Sequence, residues 1–469
     1  MSLPLIIVAI IFSIIAAIRP FKIGKVPVNI ATGSIFALLV LLLLNAVDLE
    51  TIKLGIFGND QFKPWEIIVI FFTVAYVSIS VDVTGILDFL AYKIVQKTKG
   101  SGVKLFLFFY FFACLLTVFT SNDIVILTLT PIIFYLGKHA KLNVMPLLFA
   151  EFFGANTLSM FLYIGNPTNI IVGNALGLGF LEYTKIMWLP TLVAAVANLG
   201  LLYLFFRKKI TKKFKANPDS KFSVRSWFDA ILSSLLLVTM LIVLTTSQAF
   251  DIPIWLITSV FAGVFIIEDL AFSLYYISKY HSLPPSVLQK EKQEVSKLYG
   301  LPENPNEFWI AIKRVPWKIL PFIMVFFILV AGLNEYGAVD WLASMISKTS
   351  TTLGSSIATH GILGFLLANI INNQPMTILL SNVLLSDSLQ ISEQAFRGGA
   401  YAVVIASNLG ANLTLIGALA GLMWRKILKT KGLEISYFDF VKTGLIITPF
   451  VFGLSLLSLY FVLEVASSV

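Results

Sequence analysis

Four short polar runs interrupt otherwise apolar sequence, and they hold most of the residues here that could bind or move a solute. They are Ser121-Asn122-Asp123, Gly165-Asn166-Pro167-Thr168-Asn169, Asn372-Asn373-Gln374-Pro375, and Ser407 through Thr414 (SNLGANLT). Each has the chemistry of a broken helix. Gly permits a break in the backbone, and Pro suits the first turn of the next half-helix, where its missing N–H costs nothing. Asn and Ser cap the freed N–H groups. Half-helix N-termini then bring partial positive charge into the protein, and the preceding halves leave carbonyls pointing to the same place. Such a site suits a small oxygen-rich solute, an anion, or a sodium ion held by carbonyl and amide oxygens. The candidate solute ligands are Ser121, Asn122, Asn166, Thr168, Asn169, Asn373, Gln374, Asn408, Asn412 and Thr414.

Two acids stand out beside them. Asp123 is the only acidic residue in the four runs. Burial favours its neutral form, while a helix N-terminus and amide donors favour the carboxylate. A group balanced in this way can take up and release a proton as a cavity alternates between faces; the alternative is a permanently ionised cap of the returning half-helix. Glu151, among Leu148, Phe152 and Phe153, is the other acid set deep in apolar sequence, as a second proton carrier or a partner for a polar break. Glu268-Asp269 reads as a scaffold or interface pair, and Asp88 and Asp340 read as helix caps rather than ligands.

These residues need a membrane to position them. Of 469 residues, 58% are hydrophobic and 13% charged, and the mean hydropathy is +0.89. Soluble domains carry about 25% charge, so the chain reads as an all-α polytopic membrane protein. The net charge of +9 lies mostly in connecting loops, where it reports orientation and anionic lipid rather than nucleic acid. One cysteine, Cys114, and three scattered histidines leave no metal spacing and no disulfide framework. No P-loop is present, so any ATP drive must come from another subunit. The first apolar segment is too long for a cleaved signal and reads as a retained membrane helix.

A hydropathy window of about 19 residues gives spans at 2–19, 27–46, 64–81, 185–206, 228–247, 253–277, 317–333 and 441–464. Between them lie a hairpin at 103–137, a broken helix at 144–180, a second hairpin at 353–390 and a second broken helix at 396–428. The arms around Ser121-Asn122-Asp123, roughly 16 and 14 residues, are short for a hydrocarbon core about 30 Å thick. Basic residues flank both arms, which predicts a re-entrant hairpin with its polar tip at membrane depth. The basic segments share one face, taken as cytoplasmic, with the loops 207–227 and 278–316 on that side of a plasma (inner) membrane.

The chain also repeats itself. Gly85–Ala91 (GILDFLA) recurs as Gly337–Ala343 (GAVDWLA), 252 residues on, and the same step carries Asn122 to Gln374 inside the second polar tip. The second hairpin opens from the opposite face, so the repeats are inverted, an arrangement that secondary transporters use to build a midplane site. The expected organisation is a first repeat over 1–206, a linker at 207–227 and a second repeat over 228–469, with about 10 transmembrane helices plus two hairpins and two broken helices. Channels need no inverted hairpin pair, and no nucleophile–base constellation suggests an enzyme.

At these motifs the chain resembles the arsenite-pump membrane subunit family, ArsB, within the wider ion transporter superfamily. The matching residues are Ser121-Asn122-Asp123 followed by Leu127–Pro131; Asn166–Ile170 leading to Gly177–Tyr183; Asn372–Thr377; and Asn408-Leu409-Gly410 through Ile416–Ala420 and Trp424. The resemblance runs from about residue 60 onward. It implies a scaffold-plus-transport-domain carrier that exchanges arsenite or antimonite for protons, alone or with a soluble ATPase subunit, and homodimers occur in the superfamily. No cofactor is implied beyond a proton or sodium as coupling ion. A sodium-coupled organic-anion importer, with Asn122, Asn166, Asn373 and Asn412 on sodium or carboxylate, and a sodium/proton antiporter built on Asp123 are the other readings.

Overall fold

The computed structural model describes residues 2–59, 62–140, 142–214, 224, 226–247, 249–283 and 306–466. The chain starts with α1 (Ser2–Ile18), an antiparallel ribbon of β1 (Phe21–Ile23) and β2 (Val26–Val28), and α2 (Ile30–Leu43). Asn29 opens α2 with a capping box, its Oδ1 accepting from Ala31 N at 3.0 Å. There follow α3 (Leu49–Phe57), α4 (Pro64–Val83), α5 (Ile86–Lys97), α6 (Gly102–Phe119), α7 (Asn122–Ala140), α8 (Met145–Leu158), α9 (Pro167–Ala175) and α10 (Phe180–Phe206). The second half contains α11 (Trp227–Thr246), α12 (Ile254–His281), α13 (Glu307–Arg314), α14 (Ile319–Glu335), α15 (Ala338–Thr349), α16 (Leu353–Ile371), α17 (Asn373–Leu385), α18 (Glu393–Gly410), α19 (Leu419–Thr430) and α20 (Tyr437–Ala466).

A step of 252 residues superposes element boundaries as well as sequence. It carries Ile86 to Ala338, Lys97 to Thr349, Phe119 to Ile371, Leu158 to Gly410 and Pro167 to Leu419, each pair ending or starting a helix. Gly85 and Gly337, the residues that open the repeated motif, both hold left-handed backbone, at φ +79° and +70°. Packing repeats too. Helix α6 lies on α8 and α16 on α18, α12 lies on α4 and α2 on α14, and α10 lies on α20 between the halves. The returning hairpin arms cross over: α7 packs on α19, and α17 packs on α9.

Opposite ends of the repeats mark two faces. At one, Gly102 N donates to Lys212 O at 3.3 Å, Asn143 N to Thr211 Oγ1 at 3.2 Å, and Arg314 pairs with Asp82 at the end of α4. The basic segments of the first half therefore meet. At the other face Thr51 Oγ1 donates to Glu335 Oε2 at 2.7 Å and Arg397 pairs with Glu182 at 3.0 Å. Helix α6 enters from the first face and α16 from the second, so the repeats are inverted. Asp340 does not cap α15; it accepts from Ser386 Oγ at 2.6 Å. The side chains of Asp88, Lys138 and His139, together with Asp60 and Lys141, lie outside the described residues.

Among the described residues, 8 helices are long and apolar enough to cross a membrane. They include the first hairpin arms, α6 and α16, at 18 and 19 residues. These arms are longer than the flanking charges suggest, because capping by Ser101 and Thr352 carries each helix back to the loop. Exposed Leu192, Val196, Ile231, Leu235, Val260, Ile267, Phe450 and Phe461 give α10, α11, α12 and α20 an apolar outer surface. By contrast, every residue from Pro146 to Thr157 in α8, and from Gly398 to Gly410 in α18, is buried. A helix apolar all round belongs in the middle of such an assembly. The long loops are shorter than read: α12 continues to His281 and α13 covers 307–314, while 215–223, 225 and 284–305 lie outside the described residues.

Candidate solute-binding site

Helices α8 and α18 each stop inside the protein. With 14 residues, α8 reaches only ~21 Å at 1.5 Å per residue. The chain then turns through 159–166 before α9 resumes, and the same happens at 411–418 before α19. Asn169 holds the first connector from within, its Nδ2 donating to Ser159 O at 2.7 Å and Leu162 O at 2.9 Å. Asn166 caps α9, accepting from Thr168 N at 3.2 Å, with Pro167 at the first helical position.

The second connector is held from outside. Asn372, at φ +75°, donates through Nδ2 to Ile416 O at 2.9 Å, and Asn373 N donates to Gly417 O at 3.0 Å. A non-glycine residue in this backbone region stores strain of order 1–3 kcal/mol, which the two bonds to the connector offset. Thr414 Oγ1 donates to Asn369 Oδ1 at 2.7 Å. The second tip and the second connector are thus one stapled unit.

Between the connectors lies a network of buried amides. Asn122 Nδ2, at the first tip, donates to Asn156 Oδ1 at 2.8 Å, and Asn156 Nδ2 donates to Asn412 Oδ1 at 3.0 Å. Asn408 Oδ1 accepts from Ser159 Oγ at 2.6 Å and Asn166 Nδ2 at 2.8 Å, and its Nδ2 donates to Asn169 Oδ1 at 2.7 Å. Ser407 Oγ donates to Thr168 Oγ1 at 3.0 Å, and Asn373 Nδ2 reaches Ser407 O at 3.2 Å. Every one of these side chains is buried. Asn156 and Asn408 occupy the same place under the 252-residue step, and each binds across to the other half.

The structure therefore brings together Asn122, Asn166, Thr168, Asn169, Asn373, Asn408 and Asn412. Gln374 adjoins them, with its Oε1 buried and unpartnered; Asn122 Oδ1 is buried and unpartnered as well. These two oxygens sit at equivalent repeat positions. Ser121 and Thr414 are only partly buried, and among the described residues Ser121 makes no side-chain bond. Asp123 lies in the first turn of α7, partly exposed and outside the amide network. Glu151 is fully buried but apart from the tips, accepting from Thr130 Oγ1 at 2.9 Å. Glu268 and Asp269 bind Ser233, Tyr76 and Ser80 among α4, α11 and α12, as a scaffold pair would.

Asn156 and Ser159 are absent from the residues singled out by sequence, because they precede the Gly-Asn-Pro break. The signal existed: 252 residues before Asn408 stands Asn156. Half-helices α7, α9, α17 and α19 all start at this network, so it collects four partial positive ends, and among the described residues no Lys or Arg bonds into it.

The model of the CitMHS family, described as a citrate transporter, matches residues 7–396. The chain belongs to this family. The protein is a secondary transporter, not an enzyme, and an integral membrane protein that crosses the bilayer several times. It is similar to the arsenical pump membrane protein of Escherichia coli (strain K12), 28% identical over 389 residues, covering 82% of this chain and 83% of that protein. A putative arsenical pump membrane protein of Bacillus subtilis is 26% identical over 444 residues, covering 92% and 94%. Among solved structures, the YdaH transporter of Alcanivorax borkumensis matches with a TM-score of 0.51 at 12% identity, covering 99% of this chain and 96% of that one, a likeness of fold.

Proposed function

We propose that the protein exchanges a small neutral trihydroxy metalloid, arsenite or antimonite, for protons, binding it in the amide network between the two tips. The observation that carries this reading is the set of donors and acceptors. Asn122 Oδ1 and Gln374 Oε1 are buried acceptors without donors, and a trihydroxy solute supplies O–H groups to both. Its oxygens accept in turn from half-helix N–H groups. Among the described residues no Lys or Arg bonds into the network, so a multiply charged anion would meet only helix ends of about half a charge each. The names of the curated relatives point the same way.

In this reading Asp123, beside the network and partly exposed, takes the coupling proton, and Glu151 with Thr130 is the second carrier. The repeats are 1–206 and 228–469, and the basic face with loops 207–227 and 278–316 is cytoplasmic in a plasma membrane. A soluble ATPase subunit or a second copy of the chain is compatible with this scheme but not required by it. The family description favours a second reading, a sodium-coupled carrier of an organic anion, in which the same amides hold sodium and a carboxylate.

Uptake into everted vesicles under an imposed pH gradient separates the two. Arsenite accumulation driven by that gradient, without sodium, is expected. Sodium-dependent uptake of citrate or succinate, with no arsenite signal, would replace the first reading by the second.

A further inference from the structure

A cavity of about 360 Å³ opens between α4 and α12 on one side and the α9–α10 turn on the other. It lies on the face opposite the basic loops, because the other end of α4 meets Arg314 and the segment that leaves the other end of α10 meets Asn143. Its rim carries Lys63, Glu66 and Asp251, a mixture of charges with no net pull on an anion. Glu66 Oε2 accepts from Asn174 Nδ2 at 3.1 Å, so one hydrogen bond ties α4 to the end of α9 across the cavity. The run Gly177-Leu178-Gly179 lines it as well. That run carried the resemblance to the arsenite branch but takes no part in the amide network.

Tyr163 also lines the cavity and is only 1% exposed. It belongs to the 159–166 connector, between Ser159 and Asn166 of the amide network. Its ring lies against Gly173, where an added Cβ would stand 2.1 Å from Tyr163 Cε2, and edge-on to Tyr183 at 5.8 Å between centroids. The ring is thus part of the cavity wall, on the same connector that carries Ser159 and Asn166 of the amide network. A second cavity of about 360 Å³ on the same face, beside Asn334 and Asn382, touches neither connector.

We propose that the first cavity is the vestibule through which a small, neutral, hydroxyl-bearing solute reaches the amide network from the face opposite the basic loops, with the Tyr163 ring as its gate. The proposal rests on reading the network as the solute site. Glu66–Asn174 is then the latch that must break when α9 moves relative to α4.

The test needs no solute. In a Cys114→Ala background, Asn174→Cys reports the vestibule and Ser159→Cys reports the amide network, each probed with a membrane-impermeant maleimide from either side. Asn174→Cys should label from the face opposite the basic loops. Ser159→Cys should label slowly, at least ten-fold faster when Tyr163→Ala is added, and unchanged with Tyr163→Phe. Gly173→Ala, whose methyl collides with the ring, provides a second way to open the gate should Tyr163→Ala fold poorly. The proposal is overturned if neither variant changes Ser159→Cys labelling, or if Asn174→Cys labels only from the basic side. If the gate behaves as stated while vesicles take up no arsenite, the path stands and the solute assignment falls.

Discussion

Replacing Asn408 by alanine should do more damage than any other single amide change in the network. Its side chain has three partners in the other half: Ser159, Asn166 and Asn169. Ser159 keeps a fallback, since its hydroxyl also lies 2.7 Å from Asn156 O. Asn166 Nδ2 and Asn169 Oδ1 have no such alternative and are left buried and unpaired. Hydrogen bonds between helices in membranes average about 0.6 kcal/mol and reach about 1.7, and an orphaned buried group costs roughly 1–3. At the membrane values two losses sum to about 1–3 kcal/mol, or roughly a 5- to 150-fold shift in an equilibrium, and two fully orphaned groups set an upper limit of about 6 kcal/mol. The assay is paired: thermal unfolding in detergent, and apparent solute affinity in counterflow. Asn408→Asp keeps both accepting bonds but sets a carboxylate oxygen against Asn169 Oδ1 and Val404 O, so it should be no milder than Asn408→Ala. Thr239→Ala, which removes a bond within one exposed helix turn, is the control and should change neither readout. The reasoning fails if Asn408→Ala melts and exchanges solute like the parent protein, or if Thr239→Ala does equal harm.

Asp123→Asn should abolish uphill transport driven by a pH gradient yet leave solute counterflow, because no network bond is lost; a variant that still concentrates solute would move the coupling role to Glu151. Glu151→Gln should slow proton-coupled transport, and Thr130→Val, which removes its recorded partner, should change the pH profile in the same sense; an unchanged profile in both would make the pair purely structural. Cysteines at Ser121 and Asn373 should react with impermeant reagents from opposite sides of the membrane, and access to both from one side in every state contradicts the inverted repeat. At Asp48 the Thr51 backbone N–H holds the carboxyl below the usual range, so its capping of α3 is fully present above about pH 3.9 and is lost as pH falls through the lowered value. Amide exchange of Thr51 should therefore stay slow to mildly acidic pH, and Asp48→Asn should remove that pH dependence.

Much of the architecture was legible because a bilayer admits few solutions. Long apolar runs had to be helices, and polar interruptions within them had to be breaks lining protein. What escaped was short or local. Helix α3, with 9 residues, and α13, with 8, are below the length a span-sized window detects. The ribbon at 21–28 depends on the turn at Gly24 rather than on any apolar pattern. The site was legible at its capping residues, whose Gly-Asn-Pro and Asn-Gln-Pro contexts announce a break. Asn156 was legible only through the repeat, 252 residues before Asn408, since nothing in its neighbourhood differs from an ordinary buried helix; its bonds to Asn122 and to Asn412, 256 residues away, give it meaning. The separation of Asp123 from the bonded amides is likewise a matter of side-chain direction at the start of α7, which sequence spacing does not encode.

The crossed amide bonds have a consequence for biosynthesis. Asn166 waits for a partner 242 residues further along the chain. At roughly 5–20 residues per second, a ribosome takes on the order of 12–48 s to supply it. Over that interval Asn166 Nδ2 and Asn169 Oδ1 lack the partner that satisfies them, although Asn122 already has Asn156 within the first half. The nascent first half therefore needs either water or a chaperoning membrane protein beside it. Truncated chains that end before Asn408 should be preferred targets for membrane proteases.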